Sequence, residues 1–353
     1  MRQISLSKVI PGMILARSLL SSKGQILLVS GVTLTEEYIR KLQLLDLDTI
    51  FIKDEKYADI NVPEYLAMET QQRALSILTA TIQKIHKEGT FSIDPVSCIA
   101  SDIVEELMDQ KEVLIHLTGI ATHDDCTLSH SLNCAIYSAL LARAWGFTVS
   151  QIKVITCGAL LHDIGKVGID TQLLNKLDAL TTEEIEIIKQ HPALGFKMLT
   201  KKRLEISSLV AHMAWQHHER IDGSGYPRGL KGEEIFSYAR LLSITDVYDA
   251  ITAHRPYQEA LMPEVAYNVI CDGLGSSFDQ EFGELFLSKI ALFPPGTEVL
   301  LNTGELAIVV SVSGSAPKRP MLRLISDPEG IPYTPPKDIS LIANPELSIL
   351  RTK

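Results

Sequence analysis

Ten histidines are spread along the 353 residues, and seven of them, His130, His162, His191, His212, His217, His218 and His254, fall between positions 130 and 254. Four places stand out: His130, the pair His162-Asp163, His191, and the doublet His217-His218. They lie 26 to 32 residues apart, with Asp246 another 28 residues beyond the doublet. One helix plus one turn takes about that many residues, so successive side chains can return to one level of a helical bundle and converge. Neutral imidazole and carboxylate suit iron, manganese, zinc or nickel, and no C-x-x-C pair argues for a thiolate site. Adjacent residues on a helix point roughly 100° apart, so a His-Asp or His-His pair can address two ions, and Asp163 can bridge them. Two bridged ions make a hydrolytic centre in which a shared water loses its proton and attacks phosphorus while the metals clamp the phosphate oxygens. A lone histidine carries little such meaning, whereas the joint pattern does.

The residues around these positions are HDIGK (His162 to Lys166), HHERIDGSGYP (His217 to Pro227) and ITDVYDAITAHRPY (Ile244 to Tyr257). Together they closely resemble the HD-GYP domain, over roughly residues 121 to 293, about half of the chain. The resemblance implies a helical HD-superfamily fold and a metal-dependent phosphodiesterase that opens cyclic di-GMP to pGpG, in some members onward to GMP. It implies that His130, His162, Asp163 and Asp246 hold one metal and that Asp163, His191, His217 and His218 hold the second, with Asp163 shared. The implied cofactors are two divalent ions, iron first and manganese as the alternative. Lys166, one turn past Asp163, corresponds to the family lysine that holds the scissile phosphate and assists the leaving oxygen. Gly223, Gly225, Tyr226 and Pro227 form the signature loop, which either lines the cleft or serves as a tight turn supporting the metals. Arg255 corresponds to an arginine near the nucleotide, where a planar bidentate donor suits phosphate or guanine.

Three positions depart from the family pattern. A glutamate that gathers a third metal in some members is Cys126 here, which favours two ions. Gln258 stands where a basic residue is frequent, and His254 where an acid is usual. His86, His116, His123 and His212 lie outside the pattern and receive no role.

The elements that must position these residues can be read from periodicity and punctuation. Residues 1–62 read as a small mixed α/β unit: ILARSLL and QILLVSG form strands around Ser22-Lys23-Gly24, a helix opens with a Thr33-x-x-Glu36 capping box, and TIFIK is a third strand. Residues 63–120 are a helical connector, whose long helix around 64–88 ends at Gly89 and either packs on its own domain or pairs with its twin in a homodimer. Residues 121–293 are nearly all helix, with a stop at Gly146, a cap at Thr181-x-x-Glu184 and an irregular loop at IDGSGYPRGLKG. Residues 294–353 change to two or three β-rich runs. The fold class is therefore mainly α: an all-helical catalytic domain between a small α/β unit and a small β-rich appendage.

Composition narrows the functions. With 33 Lys+Arg against 43 Asp+Glu the formal charge is −10, which excludes a protein that coats DNA or RNA or adheres to anionic membrane. No stretch of about 18 uninterrupted apolar residues offers a membrane span. The five cysteines, Cys98, Cys126, Cys134, Cys157 and Cys271, are odd in number and scattered, which fits a reducing cytoplasm. The expected partners are cyclic di-GMP and, through the GYP loop, diguanylate cyclase (GGDEF) domains. The alternatives are a cyclic di-GMP receptor or docking module with little turnover, and a hydrolase of a related cyclic dinucleotide.

Overall fold

The structure is a computed structural model. It describes residues 1–21, 23–45, 49–110, 113–115, 126–176, 178–202, 205–252 and 263–352, and the backbone but not the side chain of Cys126. His116, His123, His254, Arg255 and Gln258 lie outside the described residues.

Strands β1 (Arg2–Ser5), β2 (Ile14–Leu15) and β5 (Thr49–Lys53) form an antiparallel sheet in the order β1-β5-β2, while β3 (Leu19–Leu20) and β4 (Ile26–Leu28) make a separate hairpin. The run ILARSLL is thus two short strands rather than one. Between them Arg17 turns inward, donating to the carbonyls of Val62 and Pro63 and lying over the ring of Phe51, so the chain changes direction there. Helix α1 (Glu36–Gln43) is capped by Thr35, whose side chain accepts from Tyr38 N–H, and not by Thr33. Two residues separate the expected cap from the observed one because Thr33 is engaged in a bridge to Ile14.

Helix α2 (Met68–Glu88) stops where Gly89 adopts φ +67°, a left-handed cap that glycine enters without steric cost. Its apolar residues Ala74, Leu75, Leu78 and Ile85 are buried against α3 (Asp94–Met108) and α4 (Cys126–Trp145). Arg73, Ser76, Ala80, Gln83, Lys84 and Lys87 lie on its exposed face. The apolar stripe is therefore spent within the chain, and the outward face carries no coiled-coil seam.

The rest of the helical body comprises α5 (Val149–Leu161), α6 (Thr171–Leu174), α7 (Thr182–Ile188), α8 (His191–Thr200), α9 (Ser208–Gln216), α10 (Ser237–Thr252), α11 (Pro263–Asp272) and α12 (Gln280–Lys289). Capping boxes open α5 at Thr148/Gln151 and α7 at Thr181/Glu184. One continuous core runs from Tyr65 to Ile290. Helices α4 and α10 are joined inside it by the Ser138–Thr245 hydroxyl pair at 2.8 Å and by the edge-to-face rings of Tyr137 and Tyr248. No helix among the described residues is long and apolar enough to cross a membrane.

The C-terminal residues form five strands, β6 (Glu298–Leu301), β7 (Leu306–Ser311), β8 (Met321–Ser326), β9 (Pro332–Ser340) and β10 (Ile349–Thr352), in the order β10-β6-β7-β8-β9. The two strands beyond those expected, β9 and β10, are the sheet edges. Their residues are largely solvent-facing, so they lack the alternation that marks a buried strand. This sheet packs on the N-terminal unit: Tyr57, Ile60 and Val62 bury against Ile308, Gln3 N–H donates to Gly296 O, and Arg2 pairs with Glu298 at 2.5 Å. Arg323 of β8 reaches both Asp59 and Asp338.

One close approach decides whether the histidine-bearing helices can meet. A Cβ added at Gly165, in the turn after α5, would lie 1.9 Å from His191 O and 2.5 Å from Gly195 N. Both are backbone atoms and cannot swing away. Gly165→Ala should therefore force the turn and α8 apart and cost about 3 kcal/mol or more, read as a fall in the thermal unfolding midpoint; an unchanged midpoint would refute this packing.

Candidate metal centre

Five segments deliver the site. His130 sits in the first half of α4. Helix α5 ends at Leu161, and His162 and Asp163 follow as it passes into a 3-10 turn at Ile164–Gly168. His191 is the first residue of α8, His217 terminates α9 with His218 beyond it, and Asp246 lies in α10. Helix ends thus supply most of the side chains, which lets short polar residues reach a common point without interrupting the apolar helix interiors.

The structure brings all seven together. One donor atom from each of His130, Cys134, His162 and Asp246 lies within 4.8 Å of the others, and the same holds for Asp163, His191, His217 and His218. Asp163 sits between the two groups. Its Oδ2 is 3.5 Å from His162 Nε2 and 3.9 Å from His130 Nε2, and its Oδ1 is 3.2 Å from His191 Nε2 and 3.8 Å from His217 Nε2. Asp246 places Oδ1 3.0 Å from His130 Nε2 and Oδ2 3.7 Å from His218 Nδ1. All are buried except His218, which is partly exposed.

Tautomer logic tests whether this donor set suits metal ions. The Nδ1 atoms of His162, His191 and His217 lie 2.7, 2.7 and 3.0 Å from the carbonyls of Ala159, Ile188 and Ala214. A carbonyl only accepts, so each Nδ1 carries the proton and, in a neutral ring, each Nε2 is a bare lone pair. Yet His191 Nε2 and His217 Nε2 face each other at 3.2 Å, and His162 Nε2 and Asp163 Oδ1 are buried without a hydrogen-bond partner. Opposed lone pairs and an orphaned carboxylate oxygen at buried positions are unfavourable by themselves and are what a bound cation satisfies. The residues fit divalent metal.

Protonation tendencies agree. Burial, together with neighbouring imidazoles, holds His217 well below the usual imidazole range; burial lowers His162 and takes His218 down to about 3. Burial disfavours charge on Asp163 and Asp246, but Lys166 and the imidazoles outweigh it at Asp163, and His130 and its neighbours do so at Asp246, keeping both ionised. At His130 burial is outweighed by Cys134, Asp246 and Asp249, so its pKa rises. Cys134, one turn after His130 on the same face, escaped the sequence reading although i,i+4 spacing signals it. Its Sγ is 3.6 Å from His130 Nδ1 and 3.8 Å from Nε2, so it flanks the ring instead of extending its donor end. Burial pushes its thiol up to about 12.

Lys166 Nζ is 2.5 Å from Asp163 Oδ2 and partly exposed, at the edge of the cluster. The GYP loop forms the adjoining wall. A Cβ at Gly225 would lie 2.4 Å from both Arg220 N and His218 O, and Gly223 takes φ +84°. Glu219, missed in the sequence although it follows the doublet directly, is buried and accepts from Arg228 N–H and Leu230 N–H, one bond to each oxygen. The loop is thereby folded back on the doublet, and the ring of Tyr226 stacks on His218 at 4.7 Å. His212 contacts Phe196 and Gln216 outside the cluster, and His86 is exposed on α2.

Comparison with known proteins agrees with this geometry. The HD domain family matches residues 112–282, and a KOW domain associated with HD domains matches residues 298–352. Residues 112–282 carry an HD domain. A cyclic di-GMP phosphodiesterase of Pseudomonas aeruginosa is 31% identical to this HD-domain chain over 270 residues, covering 74% of it and 65% of the relative. A cyclic di-GMP phosphodiesterase of Thermotoga maritima is 36% identical over 186 residues, or 53% of this chain and 49% of the relative. A 3'3'-cGAMP-specific phosphodiesterase of Vibrio cholerae is 34% identical over 210 residues, 55% of this chain and 45% of the relative. The chain thus spans between 45% and 65% of these relatives' lengths. Among solved structures, an HDG"Y"P protein from Bdellovibrio bacteriovorus superposes with TM-score 0.51 at 19% identity, covering 81% of this chain and 97% of that one, a likeness of fold.

The depressed histidines set a pH dependence. Their folded pKa values lie below the unfolded value of about 6.5, so their stabilisation is complete above that pH and is lost as pH falls, the unfolded chain then binding more protons. His130, shifted the other way, contributes fully throughout that window. The melting temperature of metal-free protein should decline from about pH 6.5 towards about 3, where His218 titrates in the fold. A flat calorimetric profile would mean that folding does not lower the proton affinity of these rings.

Proposed function

We propose that this HD-domain protein is a metal-dependent phosphodiesterase acting on cyclic di-GMP, with pGpG as the first product and GMP as the onward one. The observation that carries the reading is the pair of converging donor sets with Asp163 directing one oxygen to each. His130, His162, Asp163 and Asp246 would hold one divalent ion and Asp163, His191, His217 and His218 the other, iron or manganese by the hardness of the donors. Such ions, when bound, acidify water and neutralise charge on phosphoryl oxygens. Lys166 would donate from its ammonium to a phosphate oxygen at the rim and hold a proton for the departing oxygen. Tyr226, stacked on His218, keeps that ring oriented and closes one side against water. Arg255 belongs to this proposal as a nucleotide contact on sequence grounds alone.

A complete donor set favours turnover over a receptor role. The outward residues of the GYP loop, Asp222, Ser224, Pro227 and Arg228, are exposed and form the surface that a docking GGDEF domain would meet. The free thiols Cys98, Cys134, Cys157 and Cys271 support a cytoplasmic setting. A second reading, hydrolysis of a mixed cyclic dinucleotide, is favoured by the resemblance to the cGAMP-specific relative.

Anaerobically prepared, iron- or manganese-loaded protein should linearise cyclic di-GMP, and a panel including 3'3'-cGAMP would rank the two readings by rate. Absence of turnover with both ions confirmed in place would exclude the enzyme reading. Asp163→Ala should release both ions and abolish activity together; two ions retained per chain would remove the bridging role. Lys166→Ala should keep both ions while turnover falls about 100- to 1,000-fold, and an unaltered rate would show that the lysine only pairs with Asp163.

A further inference from the structure

The buried imidazoles of the cluster are not held alike. His162, His191 and His217 each donate Nδ1–H to a carbonyl three residues back in their own segment, a neutral acceptor. His130 is the exception. Its Nδ1 lies 2.7 Å from Oδ2 of Asp249, a carboxylate only 2% exposed and 119 residues away in sequence. Asp249 stands one turn after Asp246 in α10, so a single helix presses carboxylates on both ends of the same imidazole, with Asp246 Oδ1 3.0 Å from Nε2.

A carboxylate behind an imidazole differs from a carbonyl in two ways. It fixes the tautomer and ring orientation as a carbonyl does, and its negative charge also makes the opposite nitrogen a stronger donor. Among the described residues only carbonyls stand behind the other three rings, so the two halves of the cluster differ electrically although their donor atoms look alike. We propose that Asp249 is a positioning residue for His130, and that its charge selectively strengthens metal holding by the His130, His162 and Asp246 half. The proposal rests on the two-ion reading of the site. A purely structural role, tying α4 to α10 within the core, would instead affect both halves through the fold.

The test is titration of metal-free full-length protein with Mn²⁺, comparing the original chain with Asp249→Asn and Asp249→Glu. Bound ions are counted and electron paramagnetic resonance separates coupled from isolated Mn²⁺. Asp249→Asn should weaken one of the two ions about 10- to 100-fold and leave the other unchanged, so that isolated Mn²⁺ appears at concentrations where the original chain shows a coupled pair. Asp249→Glu, which restores the charge, should recover most of the affinity. Equal weakening of both ions, or of neither, would overturn the proposal. If Asp249→Asn fails to fold, judged by thermal unfolding of the metal-free protein, the comparison of Asp249→Glu with the original chain decides it: equal weakening of both ions overturns it, and near-original binding with any remaining deficit confined to one ion supports it. An original chain that binds a single ion would refute the two-ion reading, while a 10- to 100-fold effect of Asp249→Asn on that ion would still uphold the role at His130.

Discussion

Bare nitrogen lone pairs brought face to face at buried positions are the constraint around which this chain is arranged. His191 and His217 oppose their Nε2 atoms at 3.2 Å because each has spent its other nitrogen on a backbone carbonyl. Those carbonyls belong to the last turns of helices, where acceptors are left over. The same leftover groups that would otherwise need capping therefore orient the rings. Helix termini do two tasks at once here: they end the apolar segments and aim the polar ones.

Such an arrangement asks the surrounding fold for rigidity. Gly165 and Gly158 remove side chains where α5 and its turn press against α8 and α9, and a Cβ at Gly158 would fall 2.3 Å from Met213 Sδ. The Ser138–Thr245 pair and the Tyr137–Tyr248 contact hold α4 against α10 close to His130 and Asp246. Glu219 does for the loop what these contacts do for the helices, using both oxygens to keep the backbone from Gly223 to Leu230 folded onto the histidine doublet. Close packing at this level confines the donors to a narrow range of separations.

The positions of the donors were legible because helices of ordinary length separated by short turns translate regular spacing into convergence, so His130, His162, His191, the doublet and Asp246 could be picked out from distances along the chain. Partnerships across long stretches were not. Nothing in the sequence near His130 points to Asp249, and nothing near Arg228 marks Glu219 as its acceptor. Cys134 was hard to read for another reason: it belongs to no motif, and only its i,i+4 spacing from His130 on α4 marks it. In the small units, local signals misled by a few residues, as at Thr33 and Thr35, and edge strands such as β9 lacked an apolar face to announce them. Fold class survived these misses because it depends on the periodicity of the long helices.

The pairing of the first strand's Arg2 with Glu298, 296 residues away, bears on how the molecule is built in time. A contact closing so long a loop is entropically late. The N-terminal unit is synthesised first, yet Ile60, Val62 and Phe51 find their apolar cover only when β7 and β8 have emerged. Until then Tyr57, Ile60 and Val62 lack that cover, although Ile4, Leu15, Ile50 and Ile52 of the same unit share a core of their own. The last strands therefore act as the closing step for a unit that was begun first.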